Sequence, residues 1–420
     1  MPAFRFVHAA DIHLDSPLKG LAGHEGSAAK LIHSATRKAF EGLIARTIDE
    51  QAAFLIIAGD LYDGDWRDYH TGLYFVNQMG RLREAGIPAY LIYGNHDAES
   101  KITRRLTLPD NVSVFSTREA ETLRISGLDV ALHGQGFRER DTTENLASRY
   151  PSPVAGAFNV GILHTGLSGA EGHALYAPCS LDELRNRGYD YWALGHIHQP
   201  EVVSRDPYVV YSGNVQGRHI REAGPRGAML VSVEDNAVSD LEPLHVDVVR
   251  WALVDVDIAD CASVDDIHDS VRAAIEDKVR EQADGRLLAC RVVLSGTTAL
   301  HDAVLGSHEE ILAETRAAAA GLGDEVAWVE KLKIETKPPS DTVPDPALTE
   351  TLGDLSLAQQ DEGLRDELKR QLGPFVSKLP PEVRDSSESE LLQAAKDHDF
   401  RKLIELARPY TMAKLAGRQG

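Results

Sequence analysis

The chain has 420 residues and a formal charge of −21, from 44 Lys+Arg against 65 Asp+Glu, a length that suits two or three domains of ~100–200 residues. Its 43% hydrophobic and 26% charged residues match a soluble globular protein and exclude wholesale disorder. Three scattered cysteines, Cys179, Cys261 and Cys290, exclude a disulfide framework or zinc ribbon. So acidic a surface repels phosphate backbones and argues against an autonomous nucleic-acid binder. The acidity is uneven: residues 1–250 hold 24 basic and 32 acidic groups (−8), and residues 251–420 hold 20 and 33 (−13). The opening MPAFRFVHAADIH lacks the charged-then-apolar pattern of a signal peptide. No apolar stretch approaches the ~20 residues of a membrane span. A cytoplasmic protein with no membrane contact is expected.

In chain order, residues 4–11 read as a strand, and 28–50 as an amphipathic helix with Leu31, Ile32, Ala35, Ala39, Leu43, Ile44 and Ile48 on one side. The wholly apolar 54–60 is a strand buried on both faces, 69–85 a helix stopped at Gly86, and 89–97 a third strand. This βαβαβ opening predicts an α/β domain with parallel strands at its centre. Strands at 112–115, 123–125, 130–133, 160–164, 191–195, 209–211 and 228–233 follow with shorter connections, predicting a second, mixed sheet packed on the first. Residues 251–258, 288–294 and 326–334 read as strands and 264–282 and 308–320 as helices, a smaller α+β module. The expected division is a catalytic domain at 1–248, a small α+β capping domain at 249–336, a proline-rich linker at 337–346 and a helical C-terminal region at 347–420.

Five segments end predicted strands with Asp, Asn or His: Asp11-Ile12-His13, Gly59-Asp60, Gly94-Asn95-His96-Asp97, Leu163-His164 and Gly195-His196-Ile197-His198. Ligand sites of open α/β sheets form just beyond the carboxyl ends of strands, where such loops converge. Mixed carboxylate, imidazole and amide groups suit a divalent transition metal, Mn²⁺ or Fe²⁺ fitting better than Mg²⁺ with its all-oxygen preference. The groups are too many for one ion and suit two.

These motifs, in this order on these strand ends, resemble the calcineurin-like metallophosphoesterase superfamily. Within it, DIHLDSPLKGL, GDLYDGDWRDYH and YSGNVQGRHIRE resemble the bacterial DNA-repair exonuclease branch, YhaO-like and similar to the SbcD-type nuclease subunits. The resemblance covers about residues 4–235 by motif and the rest by domain order. It implies a two-sheet sandwich flanked by helices in four αββα layers, with the cap and tail appended. It also implies two divalent metal ions, Mn²⁺ before Fe²⁺ or Mg²⁺: Asp11, His13 and His198 hold one, Asn95, His164 and His196 the other, and Asp60 bridges both. By the same resemblance a metal-activated water attacks phosphorus, His96 protonates the leaving oxygen and Asp97 orients the His96 imidazole. The implied activity is a DNA exonuclease acting on DNA ends in repair. The alternative is a superfamily phosphatase or phosphodiesterase acting on small nucleotides or phosphoprotein.

The chain departs from the repair-nuclease pattern at Asp15, where that pattern has Gly, and at Asp63-Gly64-Asp65-Trp66; Asp15, Asp63 and Asp65 add negative charge near the expected substrate path. Arg218, His219 and Arg221, after the strand at 209–211, are candidate phosphate contacts that offset it. The remaining histidines, including His8, His133 and His173, read as core or surface residues. Gly-Lys never occurs, so there is no P-loop; the resemblance supplies ATP dependence through an SMC-like ATPase partner, YhaN/SbcC-like. The C-terminal helices, chiefly the stripe of Leu392, Ala395, Leu403, Leu406 and Ala407, are its candidate binding segment. Related subunits imply a possible homodimer.

Overall fold

The computed structural model describes residues 3–16, 27–63, 69–99, 107–125, 127–167, 176–339, 362–378, 390–403 and 405–406. The chain forms two compact units, Met1–Ala252 with Gln282–Ala289, and Leu253–Glu281 with Cys290–Gly420.

In the first unit, β1 (Phe4–Ala9), β2 (Phe54–Ala58), β3 (Ala89–Ile92) and β4 (Val112–Val114) run parallel. Then β5 (Glu121–Ile125), β6 (Val130–Gly134), β7 (Phe158–His164), β8 (Tyr191–Gly195), β9 (Glu201–Arg205) and β10 (Tyr208–Tyr211) build a second sheet in the order β5-β6-β7-β8-β10-β9. The chain returns through β11 (Gly227–Glu234) and β12 (Ala237–His245), which complete the first sheet as β12-β11-β1-β2-β3-β4.

Successive side chains of a strand face opposite ways, and β1 uses this to serve two cores. Phe4 and Phe6 meet Phe54, Phe158, Val160 and Tyr191 between the sheets; Phe6 stacks on Phe54 at 4.8 Å and meets Tyr191 edge-on at 5.4 Å. Val7 and Ala9 face the other way, onto Phe40, Leu43, Ile44, Phe75, Met79 and Leu82 of the flanking helices. On the far side of the second sheet, Leu163, Trp192, Leu194 and Val209 pack against Leu146, Tyr150 and Leu184. The result is the expected helix–sheet–sheet–helix sandwich.

A three-stranded sheet, most of it in the second unit, follows the order β13 (Val249–Asp257), β14 (Leu287–Ser295), β15 (Ala327–Ile334). The long helix Val264–Lys278 is started by a capping box between Ser263 and Asp266 and buries Ile267, Val271 and Ile275. The helices Glu362–Lys378 and Glu390–Lys396 place their apolar faces on each other: Ala394, Ala395, Phe400 and Leu403 cluster with Leu372, Val376 and Leu406. Among the described residues no helix is long and apolar enough to cross a membrane.

Several local expectations are corrected. The helix at 28–50 is two helices, Ser27–His33 and Ala35–Asp49. At the break, the Ser34 hydroxyl donates to the carbonyls of Lys30 and Leu31, the competition with backbone bonding that makes serine a poor mid-helix residue. The strand at 89–97 ends at Ile92, and Asn95–Glu99 is a short helix. The helix at 264–282 gives way to a π turn at Val279–Ala283. Strands β9 and β12 and the helix His301–Gly306 escape the sequence reading. Both strands lie at sheet edges, and the exposed β12 carries Pro243, so neither shows a clean apolar alternation. Residues 340–346 of the expected linker and His173 lie outside the described residues.

His8 is a core histidine, as expected. Its Nδ1 meets the Tyr191 hydroxyl at 3.0 Å and its Nε2 the Leu194 carbonyl at 3.2 Å. Burial pushes its pKa from 6.5 down to about 3. The unfolded chain therefore binds this proton first as pH falls, so the stability that neutral His8 contributes near neutrality is lost as pH drops below 6.5. At 1.36 kcal/mol per pH unit, urea unfolding at pH 5.0 should be about 2 kcal/mol weaker than at pH 7.5 from this group alone. His8→Gln should flatten the profile by that amount; equal slopes in the two proteins would contradict the assignment.

Candidate metal centre

Six parallel-running strand ends, from β1, β2 and β3 of one sheet and β7, β8 and β10 of the other, deliver every candidate residue to one edge of the sandwich. The loops are tied together there: the Asp11 amide donates to Gly59 O at 3.0 Å and the His13 amide to Asp60 O at 3.0 Å. The His196 amide donates to the Asp11 carboxylate at 2.9 Å, and the His96 amide to Asp60 Oδ1 at 3.0 Å. Asp11, His13, Asp60 and His196 all take positive φ, at 50°, 45°, 52° and 97°, and such strain concentrates where a surrounding network over-determines a functional loop. Gly94 lets the β3 loop close on this centre, since a Cβ there would lie 2.2 Å from Asp60 Oδ1.

Among the described residues, potential ligand atoms lie within 4.8 Å of one another in each of three sets: Asp11–His13–His198, His13–Asp60–His96 and Asp11–Asp60–His164. Asp60 Oδ2 is 3.4 Å from His164 Nε2 and 3.9 Å from His13 Nε2. Asn95 Oδ1 is 3.0 Å from His164 Nε2. His196 stands outside these three sets, its ring edge-on to His164 at 5.4 Å and to Tyr176 at 5.3 Å. Beside the cluster opens a cavity of about 480 Å³, lined by His96, His198, Arg140, Arg218, His219 and Arg221 among others.

The comparisons with known proteins agree with this geometry. The calcineurin-like phosphoesterase profile matches residues 4–200, and the profile of the middle domain of metallophosphoesterase YhaO matches residues 251–337. The chain is 36% identical over 314 residues to the uncharacterized metallophosphoesterase YhaO of Bacillus subtilis strain 168, covering 73% of this chain and 76% of that one. This chain belongs to the YhaO family of calcineurin-like metallophosphoesterases. It is also 27% identical over 274 residues to the DNA double-strand break repair protein Mre11 of Haloferax volcanii (64% of this chain, 58% of that one). The Mre11 of Methanopyrus kandleri is 28% identical over 219 residues (47% and 45%). The chain thus spans about half the length of these two Mre11 relatives. As a metallophosphoesterase it is a hydrolase of phosphate esters.

The YhaO-family site has the chemistry of a cation centre. His164 donates its Nδ1 proton to Ala58 O at 3.0 Å, so its Nε2 faces two oxygen acceptors, Asn95 Oδ1 and Asp60 Oδ2. His198 gives Nδ1–H to Glu222 at 2.6 Å, turning its Nε2 onto His13 Nε2 at 3.2 Å, nitrogen to nitrogen. His13 Nδ1 is buried without a hydrogen-bond partner. Cations can meet these lone pairs together, and the mixed nitrogen and oxygen donors suit them. The demand for positive charge shows in the ionisations. Burial opposes the charged form of His164, yet the Asp60 carboxylate outweighs it and lifts the pKa to about 9. Burial, helped by the Asp60 charge, pushes Asp97 up to about 7.

Two expectations about charge and contact are corrected here. Asp97 does not orient His96: its carboxylate accepts the backbone N–H groups of Leu61, Tyr62 and Gly94, which fixes the loops on either side. Asp63 meets the imidazole instead, its Oδ1 lying 3.0 Å from His96 Nδ1. Burial would lower the His96 pKa, but this bond and the charges of Asp60 and Asp63 raise it. Nor do Asp15 and Asp63 stand as bare negative charge. Arg37 grips both Asp15 oxygens at 2.6 Å and Thr71 donates to one of them. Asp63 also accepts from Ser16 at 2.7 Å and lies 3.9 Å from Arg218. Asp65 and Trp66 lie outside the described residues.

Arg218, His219 and Arg221 do line the cavity. Arg218 Nη1 donates to Ser16 at 3.2 Å, and Nη2 is 3.6 Å from Glu222. The sequence reading missed Glu222, a buried carboxylate touching His198. Its available signal was the spacing in RHIRE, which puts it four residues after Arg218.

Proposed function

We propose that the chain is a two-metal phosphodiesterase that removes nucleotides from DNA ends in cytoplasmic DNA repair. The observation that carries this reading is that Asp60 Oδ2 lies 3.4 Å from His164 Nε2 and 3.9 Å from His13 Nε2, one residue from each of two neighbouring ligand groups, with His96 lining the adjoining cavity. Asp11, His13 and His198 would hold one cation and Asn95, His164 and His196 the other, Asp60 serving both. Such a pair, Mn²⁺ before Fe²⁺ or Mg²⁺, would supply an activated water and neutralise charge on the phosphate oxygens. The protein's own part is to place substrate and move a proton. Asp63 pins His96 Nδ1, which leaves the far edge of the imidazolium to protonate the departing sugar oxygen, general-acid help typically worth ~10²–10⁴-fold. Arg218 and Arg221 would supply the positive charge that receives the phosphate, with His219, whose pKa burial lowers, beside them as a neutral ring.

Descent from the same superfamily as proteins named for double-strand break repair supports DNA as substrate. We further propose that an SMC-like ATPase, carried by the C-terminal helices, supplies the DNA grip that a chain of net charge −21 lacks, and that the catalytic domains pair as a homodimer. The test is end-labelled linear DNA in Mn²⁺, with and without the co-expressed ATPase. Mononucleotides should appear from linear DNA, faster with the ATPase, while covalently closed circles persist. Phosphate release from small nucleotides or phosphopeptides with the DNA intact would contradict the DNA reading, and indifference to the ATPase would contradict the partner.

A further inference from the structure

Glu222 ends the one-turn helix Ile220–Glu222, and its carboxylate is buried. Its two oxygens do different work. Oε2 accepts the Arg218 amide at 2.7 Å and the Asn214 side-chain N–H at 3.0 Å, closing the loop on itself. Oε1 takes the Nδ1 proton of His198 at 2.6 Å, the shortest of the Glu222 contacts. Arg226 then fastens the backbone on both sides of this pair, donating to the carbonyls of Glu222 and of His198. Oε1 also has His219 Nε2 at 3.5 Å and Arg218 Nη2 at 3.6 Å, but its one short hydrogen bond is to His198.

We propose that Glu222 is a positioning residue that holds His198 in the tautomer whose Nε2 lone pair faces Asp11 and His13, and thereby sets the affinity of that cation position. A carboxylate on the far nitrogen of a ligating imidazole fixes ring and tautomer and raises its basicity. The inference rests on the metal-centre reading above. It makes a specific chemical prediction for Glu222→Gln, which keeps the shape. Two N–H donors, from Arg218 and Asn214, claim the single amide oxygen. The amide NH₂ then faces His198 Nδ1, which must accept; the ring proton moves to Nε2, and the ligand is lost.

The test is titration of the full chain with Mn²⁺ alone, followed calorimetrically, for wild type, Glu222→Gln, His198→Ala and the double variant. Wild type should bind two ions. Glu222→Gln should weaken one site about 10–100-fold, the usual worth of such an outer partner, and leave the other unmoved. In the His198→Ala background the second substitution should add nothing. Should Glu222→Gln fail to fold, Glu222→Asp, with its carboxylate drawn back from the ring, should weaken the same single site. Two unchanged constants in the folded variant would overturn the inference, as would a full effect persisting without His198. Wild type that binds no Mn²⁺ would overturn the metal reading itself, a different failure.

Discussion

Asp60→Ala should abolish the thermal stabilisation expected of divalent cations on the wild-type chain, and hydrolysis with it. Asp60 is the residue whose oxygens reach both halves of the centre: Oδ2 lies 3.4 Å from His164 and 3.9 Å from His13, while Oδ1 accepts the His96 amide. Removing it takes a ligand atom from two of the three sets at once. The loss should exceed the roughly 10–100-fold that an outer-shell partner is worth. A cation at 100 times its dissociation constant stabilises a fold by about 2.7 kcal/mol, so the melting shift on adding Mn²⁺ should largely vanish in the variant. A shift of wild-type size would remove Asp60 from the bridging position.

His96→Ala separates binding from chemistry. The contact between this residue and Asp60 runs through the backbone amide, which alanine keeps, so the cation-induced melting shift should survive. The imidazole does not survive, and with it goes the proton donor that Asp63 holds 3.0 Å away. Turnover of DNA should fall ~10²–10⁴-fold, close to 3–5 kcal/mol of barrier at 1.36 kcal/mol per tenfold. The defect should shrink on a p-nitrophenyl phosphodiester, whose leaving group departs without a proton. Equal losses on both substrates, or loss of cation binding, would contradict the role given to His96.

Much of this centre was legible from local pattern. The apolar run Phe54–Ala58 and the alternation in Phe4–Ala9 mark buried strands, and the polar residues just past their ends can converge only where parallel strands share a carboxyl edge. That logic brought Asp11, His13, Asp60, Asn95, His96, His164, His196 and His198 to one edge from sequence alone. It failed where three dimensions choose between near neighbours. Asp97 is adjacent to His96 in the chain, yet the short helix Asn95–Glu99 puts its carboxylate under backbone amides. Asp63, 33 positions earlier in the numbering, reaches the ring instead. Asp15 looked like surplus charge because its partner, Arg37, sits on a helix 22 residues away. Glu222 was passed over because its four-residue spacing from Arg218 does not reveal the partners that bury it, here His198, Asn214 and Arg218. The C-terminal stripe through Ala395 and Leu403 was visible, but that Leu372 and Val376 pack with it depends on how two helices meet.

Anomalous diffraction from crystals grown with Mn²⁺ tests the central claim most directly. Two peaks should appear, both in contact with the Asp60 carboxylate, one also touching Asp11, His13 and His198 and the other Asn95, His164 and His196. A single peak, or a pair of which Asp60 touches only one, would contradict the two-metal centre.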